Sequence, residues 1–112
     1  MTKQENLGEL EQLALLATLR LGKDAYGGRI RDELKVRAGR DASVSSIYIT
    51  LTRLEAKGLV SSWMGEPTQV RGGKARRFFR VEPAGVAALH QSRDRLLAMW
   101  DGIPAASEGG AP

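Results

Sequence analysis

The chain has 112 residues, which is enough for one domain and not for two. Its hydrophobic and charged fractions, 42% and 27%, are ordinary for a soluble globular protein, and no apolar run reaches the ~18 residues of a membrane span. Cysteine is absent, which excludes disulfides, a thiol nucleophile and a thiolate metal site. The first residues lack the basic start and apolar run of a signal peptide, so we expect a cytoplasmic protein.

The excess positive charge is concentrated in one short segment. Residues 71–80 hold five Lys or Arg and no acid, whereas the net charge of the whole chain is only +4. Such a patch on a near-neutral body is typical of a protein with an anionic partner, most often nucleic acid. The cluster alone leaves a second interpretation open, which is a solvated surface loop.

The first predicted helix runs from about Leu7 to Leu21 and is apolar on more than one side. One stripe at helical spacing is formed by Leu7, Leu10, Ala14, Ala17 and Leu21. Leu15, Leu16 and Leu19 lie elsewhere, so the middle of the helix is apolar nearly all round. A single small domain has little depth in which to bury such a helix, which indicates that a second chain covers it. Gly22 is expected to end the helix.

A second helix is predicted to begin after Asp24 as its N-cap and to end at Gly39. Its apolar face is formed by Tyr26, Ile30 and Leu34. Gly27 and Gly28 weaken the first turn, because glycine has a low helix propensity. Two explanations stay open: another backbone approaches closely here, or the helix begins later.

The third predicted helix begins at Ser43, a good N-cap, and runs to about Lys57. One face is expected to enter the core and holds Val44, Ile47, Tyr48, Leu51 and Leu54. The opposite face holds Ser45, Ser46, Ile49, Thr50, Arg53 and Ala56. This second face has hydroxyls and an arginine but no acid, a composition that suits contact with phosphates and base edges.

Two strands and a last helix follow. The strands are predicted over Leu59–Glu66 and Ala75–Val81, with the basic segment Pro67–Lys74 as the hairpin tip. Trp63 and Phe78 are expected to anchor this hairpin in the core. Pro83 suits the first position of the last helix. The apolar stripe of that helix is formed by Val86, Leu89, Leu96, Leu97, Trp100 and Ile103.

The order helix, helix, helix, strand, strand, helix is that of a winged helix-turn-helix. We therefore expect a mostly α fold with a β-hairpin, in which the third helix is the recognition helix and the hairpin is the wing. Residues 1–103 are predicted to form the DNA-binding domain, with its first and last helices in a homodimer interface, and residues 104–112 a disordered tail. The acid-free helix face and the basic hairpin would then point at one duplex.

The sequence also resembles the PadR-like family of transcriptional regulators over residues 7–89. The matching segments are the leucine-rich opening helix, Ala25-Tyr26-Gly27, residues 43–60, the string Gly72-Gly73-Lys74-Ala75-Arg76-Arg77-Phe78-Phe79-Arg80-Val81, and Gly85. The resemblance implies a dimeric winged-helix repressor whose last helix packs against the partner's first helix. Ile49 departs from the family pattern, which usually has proline there. Arg95 stands where some small members carry a tryptophan that lines a drug-binding pore.

These patterns nominate two groups of functional residues. The expected DNA contacts are Ser43, Ser45, Ser46, Tyr48, Ile49, Thr50, Arg53, Arg71, Lys74, Arg76 and Arg77. The expected dimer contacts are Leu13, Leu16, Leu89, Leu96, Leu97, Trp100 and Ile103. A small-molecule effector at the dimer interface stays open.

Other function classes have less support from the sequence. No serine–histidine–acid pattern, paired carboxylates or phosphate loop is visible, and His90 is the one histidine, so we expect no enzyme, cofactor or metal site. The stacking aromatics of a single-stranded RNA platform are also missing. The alternative that stays open is a winged helix that binds another protein and has no specific DNA site.

Overall fold

The computed structural model describes residues 6–66 and 75–104. Their order of elements confirms the predicted order of three helices, a hairpin and a last helix. The hairpin tip with Arg71 and Lys74, and the predicted tail from residue 105 onward, lie outside the described residues. The elements are α1 (Glu9–Leu21), a 3-10 turn (Gly22–Asp24), α2 (Gly27–Ala38), α3 (Val44–Ala56), β1 (Val60–Met64), β2 (Arg77–Val81) and α4 (Pro83–Trp100).

Most helix ends lie where the sequence places them. Gly22 and Gly39 follow α1 and α2 with φ of 58° and 64°, which glycine adopts without a steric cost. Ser43 caps α3, and its Oγ accepts a hydrogen bond from the Ser46 amide at 3.0 Å. Pro83 is the first residue of α4.

The start of α2 differs from the prediction. Asp24 lies in the 3-10 turn, and Tyr26 is the N-cap, so the helix begins at Gly27. A Cβ at Gly27 would lie 3.0 Å from the Tyr48 ring and 3.0 Å from Val44 Cγ1. The helix therefore begins later than expected, and its first glycine also makes room for side chains of α3.

The core lies between the three helices and the inner face of the hairpin. Its members are Ala14, Leu15, Ala17, Ala25, Ile30, Leu34, Ile47, Leu51, Leu54, Leu59, Val60, Phe79 and Leu89. Phe79 is fully buried, whereas Trp63 is 43% exposed and Phe78 is half-buried. The expectation that Trp63 and Phe78 anchor the hairpin is therefore wrong, because strand alternation turns Phe79 inward and its neighbour outward.

The hairpin is joined to the helices by backbone hydrogen bonds. Strands β1 and β2 pair antiparallel, from Val60 opposite Val81 to Met64 opposite Arg77. The Phe79 amide also donates to the Ala25 carbonyl at 2.9 Å, and Tyr26 forms an isolated bridge with Phe78. The segment before α2 thus acts as a short third strand and fixes the wing against the helix-turn-helix.

Helix α4 packs on the body only through its first half. Gly85, Ala88, Leu89 and Ser92 are buried there, whereas every residue from 93 to 104 is exposed. Leu89 therefore belongs to the core of its own chain, which corrects its assignment to the dimer contacts. No helix among the described residues is long and apolar enough to cross a membrane.

Candidate nucleic-acid interface

The outward face of α3 carries small hydroxyls, one apolar side chain and one cation. Ser45, Ser46, Ile49, Thr52 and Arg53 are all exposed, and Ile49 is 60% accessible to solvent. Within residues 6–66 and 75–104, Arg53 makes no ion pair or hydrogen bond. The guanidinium is therefore available to a phosphate or to the O6 and N7 atoms of guanine.

The prediction that Thr50 lies on this exposed face is wrong. Thr50 is only 5% exposed, because it follows Ile49 by about 100° around the helix and turns toward the core. Thr52, which the sequence reasoning missed, lies on the exposed face with Ser45 and Ile49. Residues 45, 49 and 52 have the i, i+4, i+7 spacing of one helix face, so Thr52 could have been assigned to this face from the sequence.

The serines at the start of α3 form a local cap. Ser43 Oγ accepts the Ser46 amide hydrogen bond and donates to Ser46 Oγ, both at 3.0 Å. Both residues are exposed. Their hydroxyls therefore hold the first turn of the helix in shape at the surface that the sequence assigns to DNA.

Tyr48 lies between the core and the surface. Its ring is half-buried and packs against Phe79 with 5.8 Å between ring centroids. Gly27 leaves room for the ring on its other side. The packing accounts for the position of Tyr48 on the core face of α3, and within the described residues its hydroxyl has no hydrogen-bond partner.

The two neighbouring arginines of the wing have different surroundings. Arg76 is exposed, and its Cζ lies 4.4 Å from the centroid of the Tyr26 ring, in cation–π geometry. Arg77 instead donates to Glu55 Oε1 at 2.7 Å and to Ser62 Oγ at 3.0 Å. Its charge is therefore compensated within the chain, which argues against the predicted phosphate contact of Arg77.

Three aromatic rings support Arg76 on the outer side of the hairpin. Phe78 stacks on Trp63 with ring centroids 5.8 Å apart and planes inclined by 18°. Tyr26 meets Phe78 edge to face at 5.5 Å. The Arg76 guanidinium therefore lies on a ring that itself packs against Phe78 and, through it, Trp63.

A separate apolar surface covers α1 and the second half of α4. Leu13 is half-buried, whereas the exposed apolar side chains are Leu16, Leu19, Leu96, Leu97, Met99, Trp100 and Ile103. A groove between the two helices is lined by Leu16, Leu19, Val86, Leu89, His90 and Arg93. So large an exposed apolar surface is unusual for a lone soluble chain and is typical of a protein contact.

The described part of the chain holds no group of three His, Asp or Glu side chains that could bind a metal ion. His90 is exposed and lines the groove between α1 and α4.

Comparison with known proteins places the chain among transcriptional regulators. A family model described as the transcriptional regulator PadR-like family matches residues 15–91, well over half of the chain. The transcriptional regulator Rv3488 of Mycobacterium tuberculosis is 41% identical over 73 residues, which are 65% of this chain and 64% of that relative. The match thus spans less than two thirds of the relative's length.

Solved structures have the same fold. A PadR family transcription regulator from Clostridium difficile superposes with a TM-score of 0.68 and 23% identity, covering 82% of this chain and 91% of that one. Bacillus subtilis PadR, solved in complex with operator DNA, superposes with a TM-score of 0.59 and 24% identity, covering 85% of this chain and 51% of that one. These likenesses confirm the predicted winged-helix fold.

Proposed function

The chain belongs to the PadR-like family of transcriptional regulators, and on this premise we propose that it is a repressor that binds a pseudo-palindromic operator as a homodimer. The family consists of transcriptional regulators and not of enzymes, in agreement with the expectation from the sequence. The observation that carries the proposal is the acid-free outward face of α3, in a chain whose wing also exposes Arg76.

The proposed reading of DNA places α3 in the major groove. Ser45, Ser46 and Thr52 are exposed on α3 and in this arrangement would reach phosphates or base edges. Arg53 lies on the same face without a carboxylate partner in the described residues. Ile49 is suited to the methyl group of thymine, which is the apolar feature of that groove. Because the acidic Glu55 is paired with Arg77, its charge does not repel the duplex.

The proposed dimer buries the apolar surface of α1 and α4. Leu97 and Trp100 are exposed on the half of α4 that extends beyond its own core, and Leu16 is exposed on α1. Packing the end of one α4 against the partner's α1 would cover all three. Two recognition helices related by a two-fold axis would then read half-sites about 34 Å apart.

The proposed domain assignment and effector site follow from this dimer. Residues 1–103 would act as one DNA-binding domain with the dimer interface at its first and last helices. A small apolar effector would bind at that interface, beside the groove between α1 and α4. Its binding would change the distance between the two recognition helices and hence the fit to the operator.

The test is a footprint and a binding titration on the promoter of the chain's own gene. We expect protection of a two-fold symmetric site and a mass of twice 12.2 kDa in sedimentation. Arg53→Ala should weaken operator binding by about 1–3 kcal/mol and change random-sequence binding less, because a base contact carries specificity. Equal, weak binding to all duplexes at low salt would instead favour the protein-interaction module.

A further inference from the structure

One compact polar cluster joins three elements of the fold. Glu55 comes from the last turn of α3, Ser62 from β1 and Arg77 from β2. Arg77 donates to Glu55 Oε1 at 2.7 Å and to Ser62 Oγ at 3.0 Å, and Ser62 Oγ itself donates to Glu55 at 2.9 Å. Every member contacts both others, so the cluster is a closed triangle between the recognition helix and the wing.

The cluster is partly buried and packs against the core of the domain. The Arg77 and Glu55 side chains are 34% and 32% exposed, and the Arg77 guanidinium lies 5.2 Å from the centroid of the Phe79 ring. Phe79 is fully buried, so the guanidinium rests on the core. A charge-assisted pair in this setting is less screened and more rigid than one on the open surface.

The neighbouring residue on the same strand has the opposite surroundings. Arg76 is exposed against Tyr26 on the outer side of the hairpin, and no carboxylate in the described residues pairs with it. Arg76 therefore faces solvent on the outer side of the wing, whereas Arg77 faces the recognition helix.

We propose that Arg77 is a positioning residue: with Glu55 and Ser62 it fixes the angle between α3 and the wing, and it neutralises no phosphate. This inference rests on the proposed DNA binding and adds which side chains set its geometry. A small rotation of the wing would move Arg76 away from the DNA backbone while α3 stays in the major groove. The opposite rotation would keep the contact of Arg76 and move α3 out of the groove. The triangle would therefore affect how well helix and wing fit one operator together.

Glu55→Gln distinguishes a positioning role of Arg77 from a phosphate contact, because the two roles predict opposite changes in the affinity for DNA. The change removes one negative charge per subunit and reduces the ion pair with Arg77 to a hydrogen bond with a neutral amide. If Arg77 served the phosphates, the variant would bind DNA more tightly and the salt dependence would steepen by ~0.9 for each added contact. If Arg77 positions the wing, operator binding weakens roughly tenfold, the cost of one lost base contact, while the salt slope stays unchanged.

Glu82→Gln is the matched control. It makes the same change of charge beside the same hairpin, where Glu82 lies 3.7 Å from Arg80 and accepts a hydrogen bond from Ser61, not from α3. We expect its ratio of operator to random-sequence affinity to equal that of the wild type. Arg76→Gln should lower the affinities for operator and for random-sequence DNA by the same factor, and it should reduce the dependence of both affinities on salt concentration.

The outcomes also distinguish this inference from the proposed function. Failure of the wild-type chain to prefer any promoter sequence would overturn the proposed function. Normal wild-type binding with tighter binding and a steeper salt slope for Glu55→Gln would overturn the positioning role alone. Should Glu55→Gln fail to fold, Ser62→Ala opens the triangle without any change of charge; it should lower the operator preference, and wild-type preference would refute the proposal.

Discussion

Replacing Thr50 by valine should stabilise the protein and leave DNA binding unchanged. The Thr50 side chain is 5% exposed, and its hydroxyl has no hydrogen-bond partner within the described residues. Thr18, which is equally buried on α1, differs because its hydroxyl donates to the Ala14 carbonyl at 2.7 Å. Among the described residues, the desolvated hydroxyl of Thr50 thus makes no compensating hydrogen bond.

The expected gain follows from that missing bond. A buried hydroxyl without a partner costs about 1–3 kcal/mol. Valine has the same branched shape and fills the same space with a methyl group. We therefore expect the free energy of unfolding to rise by about 1–2 kcal/mol, and each kcal/mol to raise Tm by about 4–8 °C in a domain near this size.

The assay is urea and thermal unfolding followed by circular dichroism at one fixed protein concentration, because the proposed dimer would make Tm depend on concentration. Thr52→Val makes the same atomic change on the exposed face and should alter stability by no more than about 0.5 kcal/mol. A loss of stability in Thr50→Val, or a fall in operator affinity of the folded variant, would refute the assignment of Thr50 to the core.

Three further variants test other parts of the structure. Ser43→Ala removes the hydroxyl that caps α3 and should cost about 1 kcal/mol in urea unfolding; an unchanged midpoint would count against the cap. Gly85→Ala places a Cβ against the Leu59 carbonyl oxygen and 2.7 Å from Val81 Cγ1. The free energy of unfolding should therefore fall by about 1–3 kcal/mol or more, which thermal unfolding would show as a lower Tm. Trp100→Ala should shift the proposed dimer toward the monomer in sedimentation. The helical circular dichroism signal should be kept, because Trp100 is 61% exposed within one chain.

The sequence predicted the element order and most helix ends because these depend on local chemistry. Ser43, Pro83 and Gly39 act through their own backbone neighbours, so their positions can be read without knowledge of the packing. Asp24 was a reasonable N-cap by the same rule. It was displaced because the backbone before α2 pairs with Phe79 of β2, a contact between residues far apart in the sequence.

The site was predicted less completely because burial and ion pairing are tertiary properties. The sequence pattern identified the exposed face of α3, but it wrongly included the buried Thr50 and omitted the exposed Thr52. The basic segment correctly indicated an arginine-rich hairpin. That Arg77 is paired with Glu55, 22 positions earlier, could not follow from the charge count alone.

The arrangement of α3 has a consequence for how such a regulator diverges after gene duplication. Ile47, Leu51 and Leu54 hold the helix in the core, whereas positions 45, 49 and 53 on the other side of the same cylinder contribute little to folding. Under the proposed DNA contacts of α3, a duplicated copy can therefore change its target sequence by single substitutions without passing through unfolded intermediates. A combinatorial library restricted to these outward positions would search new operators at nearly constant thermal stability.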